Sequence, residues 1–502
     1  MTQSFQLSRI APRTLAIAIA ACAAIMGVMI SAHASQAATC TFASVGTSDF
    51  NTSGNWDCGH VPVAADDAVI PTATTTALSA GATVNSLLVN TNATLTTTGF
   101  DFTSFGLTSS TGAIVAGGAN TFTVGGAFDL RNGGRFTPGN GTFVFATSTA
   151  AGFQSVDADT QTTLTFNNLV VSSTPEVVMS NFESDVHVVV NGNLSINAGR
   201  MSLDDGSDLV VSGTTHVLAG TILYFGASAT FDSTTTNSGL MVTSVLGGTM
   251  TFNDDFVNTA SGSLDSDGPG TGVEIVFNKA WNNAGVFELA GPGPFDSTVI
   301  FSGSASQTIP AGVTFANLVV DNAAGVTMAG SASTTGTLTV SSTASSLDVG
   351  NNTLTATGLI SNNGLITEGA SGHIIHPAEG VHFTDVNGVT QGSYTSPASV
   401  YFQVQDSNRN LSGTTTESFT IPVTIAPGSD AETLTLTETS STSGIFRSGP
   451  ISLVSSSVAS PGNHQFEVTA AGTASGLYTD NQHASDVAPG TAAVTPGTTG
   501  GG

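Results

Sequence analysis

From Thr72 to Ile375 apolar residues alternate with Thr, Ser and Asn over short runs, and Gly, Asn or Ser ends nearly every run. Phe122-Thr123-Val124, Val186-His187-Val188-Val189-Val190 and Leu338-Thr339-Val340 are typical. Period-two alternation predicts strands that bury one side and show hydroxyls on the other, and no stretch holds a helical period over three turns. One phrase recurs. Leu164-Thr165-Phe166-Asn167-Asn168-Leu169-Val170-Val171 returns 149 residues later as Val313-Thr314-Phe315-Ala316-Asn317-Leu318-Val319-Val320. Each copy follows an aromatic strand and a Gln, with Phe143, Phe145 and Gln154 before the first and Val299, Phe301 and Gln307 before the second. Recurrence within such a pattern predicts a β-solenoid.

The fold expected is all-β: a right-handed parallel β-helix with an N-terminal cap over 35–376. Coils of about 20 to 29 residues give roughly a dozen turns, and at about 4.8 Å per turn a rod on the order of 60 Å long. Phe166, Leu169, Val171, Phe315, Leu318 and Val320 are expected to face the interior at equivalent positions of their coils. Over 380–488 the runs lengthen and lie about a dozen residues apart, as in Val400 to Val404, Phe419 to Ile425, Thr433 to Leu436 and His464 to Val468. That spacing predicts an antiparallel sandwich. Residues 489–502, all Gly, Thr, Ala, Pro and Val, read as a flexible linker or tail.

The start of the chain adds an address. Arg9 and Arg13 precede a 16-residue apolar run, Leu15 to Ile30, and the small-x-small exit Ala32-His33-Ala34. These are the parts of a secretory signal peptide over 1–34. The run is shorter than the roughly 20 residues of a spanning helix, so an uncleaved anchor is the second reading. Ile19-Ala20-Ala21-Cys22, which resembles a lipoprotein cleavage box, is the third. Removing the signal leaves six cations against 35 acids, a net charge of −29, and the cysteines Cys40 and Cys58. An even pair in an exported chain predicts a disulfide. Phosphate binding needs clustered cations. With Lys279 the single lysine and five scattered arginines, nucleic acid and anionic membranes are excluded as partners, and the mature chain is not expected to be an integral membrane protein.

Two stretches resemble known families. Asn55-Trp56-Asp57-Cys58-Gly59, Val61-Pro62 and Asp66-Asp67 are similar to the opening segment of exported bacterial β-helix proteins, in which the Trp covers the open end of the column. In the second stretch Val404-Gln405-Asp406-Ser407-Asn408-Arg409-Asn410, Glu432 to Thr439, Ser443-Gly444-Ile445-Phe446-Arg447 and Tyr478-Thr479-Asp480 occur in order. Together they resemble an immunoglobulin-like module of prokaryotic surface proteins. The resemblance implies a spacer or presentation module without catalysis.

Candidate chemistry is sparse. Asp406, Asn408, Asn410 and Glu417 stand at the first, third, fifth and twelfth positions of a calcium loop, although Leu411 replaces the required glycine. A loose calcium site and a hydrogen-bonded Asx turn are both open there, as they are at Asp204 to Asp208 and Asp265 to Gly268. His373, His376, Glu379 and His382 are dense enough to raise zinc, yet His373 and His376 on one strand would face opposite sides. A polysaccharide lyase needs a basic groove and a hydrolase needs paired carboxylates; Arg131, Arg135, Arg200 and Lys279 are the only cations expected in the rod. Thr94-Leu95-Thr96 and the Thr72 to Thr76 stretch raise an ice-binding threonine array if the pattern repeats once per coil. The function expected is that of a non-catalytic secreted or cell-surface structural and adhesive protein, with an extracellular glycan or a surface or matrix protein as partner. The alternative is a carbohydrate-active β-helix enzyme.

Overall fold

The computed structural model describes residues 37–497 except 44–47, 110, 116–117, 131–132, 147–153, 158–162, 181–184, 204–205, 226, 245–247, 268–271, 289–296, 377–379 and 481–486. The expected signal peptide over 1–34, Arg131, Asp204, Asp205 and Glu379 therefore lie outside the described residues. The chain is all-β, a parallel β-solenoid of about 12 turns followed by a mixed sheet.

Each full turn contributes one strand to each of three faces. The first face is the ladder Thr75–Ala77, Thr94–Thr96, Ala113–Val115 and Arg135–Thr137, continued by ten strands from Thr163–Phe166 to Ile360–Asn362. The second and third faces share one 18-stranded sheet, because long strands such as Asn168–Ser180 and Leu194–Leu203 bend around the corner between them. The bend falls where the register shifts around Ser172. Beyond Val286–Glu288 those two faces continue as separate four-stranded ladders that end at Leu365–Glu368 and His373–Ile375.

Parallel in-register stacking turns the alternation of each strand into columns. On the first face Phe231, Phe252, Phe277 and Phe301 are successive partners, with ring centroids 5.2, 5.4 and 5.8 Å apart. The first two pairs are stacked and the third is tilted, and such ring contacts add to the burial term. Outward, Thr165 is followed in register by Val189, Val210, Thr230, Thr251, Val276, Ile300, Val319 and Thr339. This half-exposed β-branched stripe runs along nine successive strands of that face. The Thr-x-Thr pair does not recur coil by coil: Thr94 and Thr96 are flanked by Thr75 and Ala77 below and by Ala113 and Val115 above.

Phe166, Leu169, Val171, Phe315, Leu318 and Val320 are all fully buried, but the expectation of equivalent positions is corrected. Leu169 stands on the second face over Phe143, while Leu318 stands on the first face over Val299. The phrase describes a corner: a strand end, one or two Asn or Ala residues, and a new apolar strand. A three-cornered rod offers three places for it.

The second unit has its own core, around Phe402, Val404, Ile421, Val423, Leu436, Phe446 and Tyr478. Its ten-stranded sheet is mostly antiparallel, with parallel contacts between Ser393–Thr395 and Val487–Thr495 and between Ile451–Ser455 and Gln465–Val468. The expected tail is corrected for 489–495: Val487–Thr495 is a strand paired along its length with Gly472–Thr479. Gly490, Ala492 and Val494 point inward, and a Cβ on Gly490 would lie 3.0 Å from the Phe402 ring. Close packing requires small residues here, and small residues are what made the segment read as a linker.

Candidate functional site

The four phrases of the second unit meet at one end of its sheet. Asp406, fully buried, closes the strand Ala398–Gln405 and precedes the short 3-10 turn Ser407–Arg409. The Tyr478 hydroxyl donates to its carboxylate. Asn408 donates through Nδ2 to Asp480 Oδ2 at 3.1 Å. The Arg409 guanidinium lies 3.6 Å from Asp480 and 4.2 Å above the Phe419 ring. Glu438 Oε1 accepts from the Ser443 and Gly444 N–H groups at 3.0 and 2.9 Å. Gly444 (φ 60°) in turn packs on Ser407, its carbonyl accepting from Asp406 N–H at 2.8 Å.

This hub docks on the rod. Asn408 Nδ2 also donates to Ile374 O of the last third-face strand at 2.9 Å. Leu411 packs against the rod's core, and its carbonyl accepts from Ile366 N–H at 2.8 Å. Asn362, at a corner, sends Nδ2 to Asn410 O at 2.8 Å while its Oδ1 accepts from Gly364 N–H at 3.0 Å. Asn237 makes the same pair of contacts within the rod, to Ser263 O of the next coil and from Gly239 N–H. The Asn410 carbonyl thus stands where a next coil would be, and the loop satisfies an edge that would otherwise invite another strand. Corner asparagines, Asn237 and Asn258 buried and Asn283 half-buried, form a ladder of their own, Asn237 to Asn258 at 3.0 Å and Asn258 to Asn283 at 2.8 Å. Sequence reasoning missed it; the available signal was the Asn-x-Gly spacing at Asn237 and Asn362.

The candidate calcium residues are therefore turned to protein partners. Asp406, Asn408 and Asn410 are buried in the junction, and Glu417 meets Glu438. The candidate zinc residues are spread out: buried His376 Nε2 lies 2.7 Å from Gly358 O, His373 lies 3.9 Å from Glu368, and His382 is exposed on the second unit. Among the described residues only Cys40, Cys58 and His60 bring three metal-ligating atoms within 4.8 Å of one another. Cys40 and Cys58 are joined as a disulfide, so neither offers a thiolate. Of the acidic turns, Asp208 pairs with His187 at 2.6 Å, and Asp265 stands in register with Glu288.

Burial, and then the neighbouring Glu438 carboxyl, push the Glu417 carboxyl up to about 7. An acid whose folded pKa exceeds its unfolded value stabilises most below the unfolded value, and that contribution fades as pH rises through the folded one. The melting temperature of the second unit in the whole chain is expected to fall between about pH 4.5 and 7 for this reason. Glu417→Gln should flatten that slope and stabilise at pH 8 by about 1 kcal/mol, a figure discounted for partial solvent exposure. Calorimetric scans at pH 5 and 8 check it; equal slopes in both proteins would show that no shared proton links Glu417 to stability.

Three clefts stand out, at Phe122 and Phe136 inside the rod, at Leu434 and Ile451 on the second unit, and at Trp281 on the second face; none is lined by Asp or Glu. Both tryptophans are buried, at 3% exposure each, so neither offers a stacking platform. Arg200 is engaged with Glu176 and Lys279 with Asp254, which leaves no basic groove among the described cations. No described helix is long and apolar enough to cross a membrane. Comparison with known protein families and with curated proteins finds no match.

Proposed function

We propose that this is an exported prokaryotic surface protein whose role is structural and adhesive, a right-handed β-helical rod that presents a binding face and is carried on an immunoglobulin-like spacer. The observation that carries this reading is the outward β-branched stripe from Thr165 to Thr339, in register over nine coils. At about 4.8 Å per strand it is a flat surface on the order of 40 Å long, suited to an extended partner. A disulfide at the first coil, few Lys and Arg, and a net charge of −27 fit life outside the cell.

The rival reading, a carbohydrate-active β-helix enzyme, is favoured by the in-register carboxylates Asp265 and Glu288. Adjacent strands bring such groups to about the spacing used by retaining glycosidases. The test presents the purified chain to glycan and matrix-protein arrays and follows release of reducing ends and unsaturated uronates. Binding without turnover is the expected outcome. Turnover that disappears in the Asp265→Asn, Glu288→Gln double variant would establish the enzyme instead.

A further inference from the structure

The second face is interrupted at one step. Trp281–Asn283 pairs with Phe256–Asn258 below it, and Gln307–Ile309 pairs with Val326–Met328 above it, but the two facing strands share no ladder. At the same step the first face stays closed, Glu274–Phe277 pairing with Thr298–Gly303. Residue chemistry explains the gap. Gln307, buried, places Nε2 on the carbonyls of Phe277 and Lys279 at 2.6 and 2.8 Å, its Oε1 accepts from Asn322 at 2.7 Å, and Pro310 has no N–H to donate.

The opening is a cleft of about 480 Å³ lined by Trp281, Asn282, Asn283, Thr259, Thr308 and Pro310 among others. Trp281 stacks on Phe277 at 4.6 Å and lies 4.7 Å from Phe287. Its Nε1 is buried and has no acceptor in the protein, whereas the other tryptophan, Trp56, donates to Phe50 O at 2.7 Å. An orphan buried donor costs free energy unless something accepts from it.

We infer that this cleft binds a short neutral saccharide, an assignment that rests on the adhesive reading and gives it a site. Amides and hydroxyls pair with sugar hydroxyls in both directions, Pro310 and Ala311 offer apolar surface to the C–H side of a ring, and the volume is in the range of small-molecule sites. No charge lines the cleft, and the chain's acidity disfavours an anionic glycan.

Trp56→Phe makes Trp281 the sole tryptophan emitter of the full chain. The probes are neutral tetrasaccharides of glucose, mannose and N-acetylglucosamine, polygalacturonate, and an extended Val-Thr hexapeptide. A saturable change in Trp281 emission with a neutral sugar is expected, and little with polygalacturonate. Ala311→Phe, at an exposed position, should weaken that binding at least about ten-fold with the melting temperature unchanged, and Asn282→Ala should weaken it without filling the cleft. Calorimetric sugar binding that both variants leave intact places the ligand elsewhere: the cleft assignment falls and the adhesive reading stands. A response to the peptide alone, or to polygalacturonate alone, overturns the ligand class. Absence of any partner on the arrays overturns the adhesive reading beneath it.

Discussion

Leu318→Asp is expected to break the rod two coils from its C-terminal end, while Val319→Asp, one residue further on, leaves it intact. Leu318 is fully buried between Val299 and Leu338 in the first-face column, and the half-exposed Val319 points out between Ile300 and Thr339. An unpaired carboxylate in the column costs several kcal/mol whether it stays charged or takes up a proton. The same group on the outer side costs under about 1 kcal/mol. Because each coil rests only on its neighbours, the loss should spread to both adjoining coils rather than remain at one side chain. Chymotrypsin is the protease of choice, since the chain has 28 Phe but only 8 Lys and Arg. New cleavage near Phe301 and Phe315 in Leu318→Asp, absent from Val319→Asp, is the result expected. A Leu318→Asp protein as resistant as its parent would contradict the solenoid column.

Alternation and a recurring phrase were enough to show the solenoid, because parallel stacking repeats one local rule in every coil and each strand carries that rule in its own residues. What they could not show was which corner a phrase occupies. Leu169 and Leu318 sit in like sequences on different faces, and the choice depends on the lengths of the loops between them. The junction was hidden for another reason. Asp406, Asn408 and Asn410 have calcium-loop spacing, but their partners, Tyr478, Ile374 and Asn362, lie tens of residues away along the chain. Acceptor oxygens in a row are equally fit to hold a cation or to hold a loop, and only tertiary contacts separate the two. The cleft at Trp281 was invisible for a third reason: it exists because a ladder is missing, and an absent backbone pairing leaves no pattern.

Removing the Cys40–Cys58 bond is expected to free the first coils and leave the rest of the rod unchanged. Cys40 is buried on Thr39–Thr41, the first strand of the third face, and Cys58 follows the loop that folds Trp56 over the column end. There Trp56 sits edge-on to Phe42 and Phe50 at 5.1 and 4.8 Å. The bond closes a separation of 18 residues, worth about 3 kcal/mol in the chain-entropy model. A terminal coil has one neighbour to rest on, so that amount decides whether it stays docked. Asp66 holds the same cap: its carboxylate accepts from Ala38 and Val63 N–H and meets His60. Burial raises the Asp66 carboxyl, but the hydrogen bonds from Val63, His60 and Ala38 outweigh it and hold the group below its ordinary value. A lowered acid stabilises above its unfolded pKa, and that contribution is lost as pH falls through the folded one. In the Cys40→Ser, Cys58→Ser double variant, amide protection factors, taken relative to the intrinsic exchange rate at each pH, should therefore fall over 37–90 and fall further in acid, with coils beyond Thr163 still protected. Mass spectrometry without reductant should find the linked peptides in the parent. Two alkylatable thiols there, or unchanged exchange in the variant, would mean that Trp56 and Asp66 close the rod without the bond.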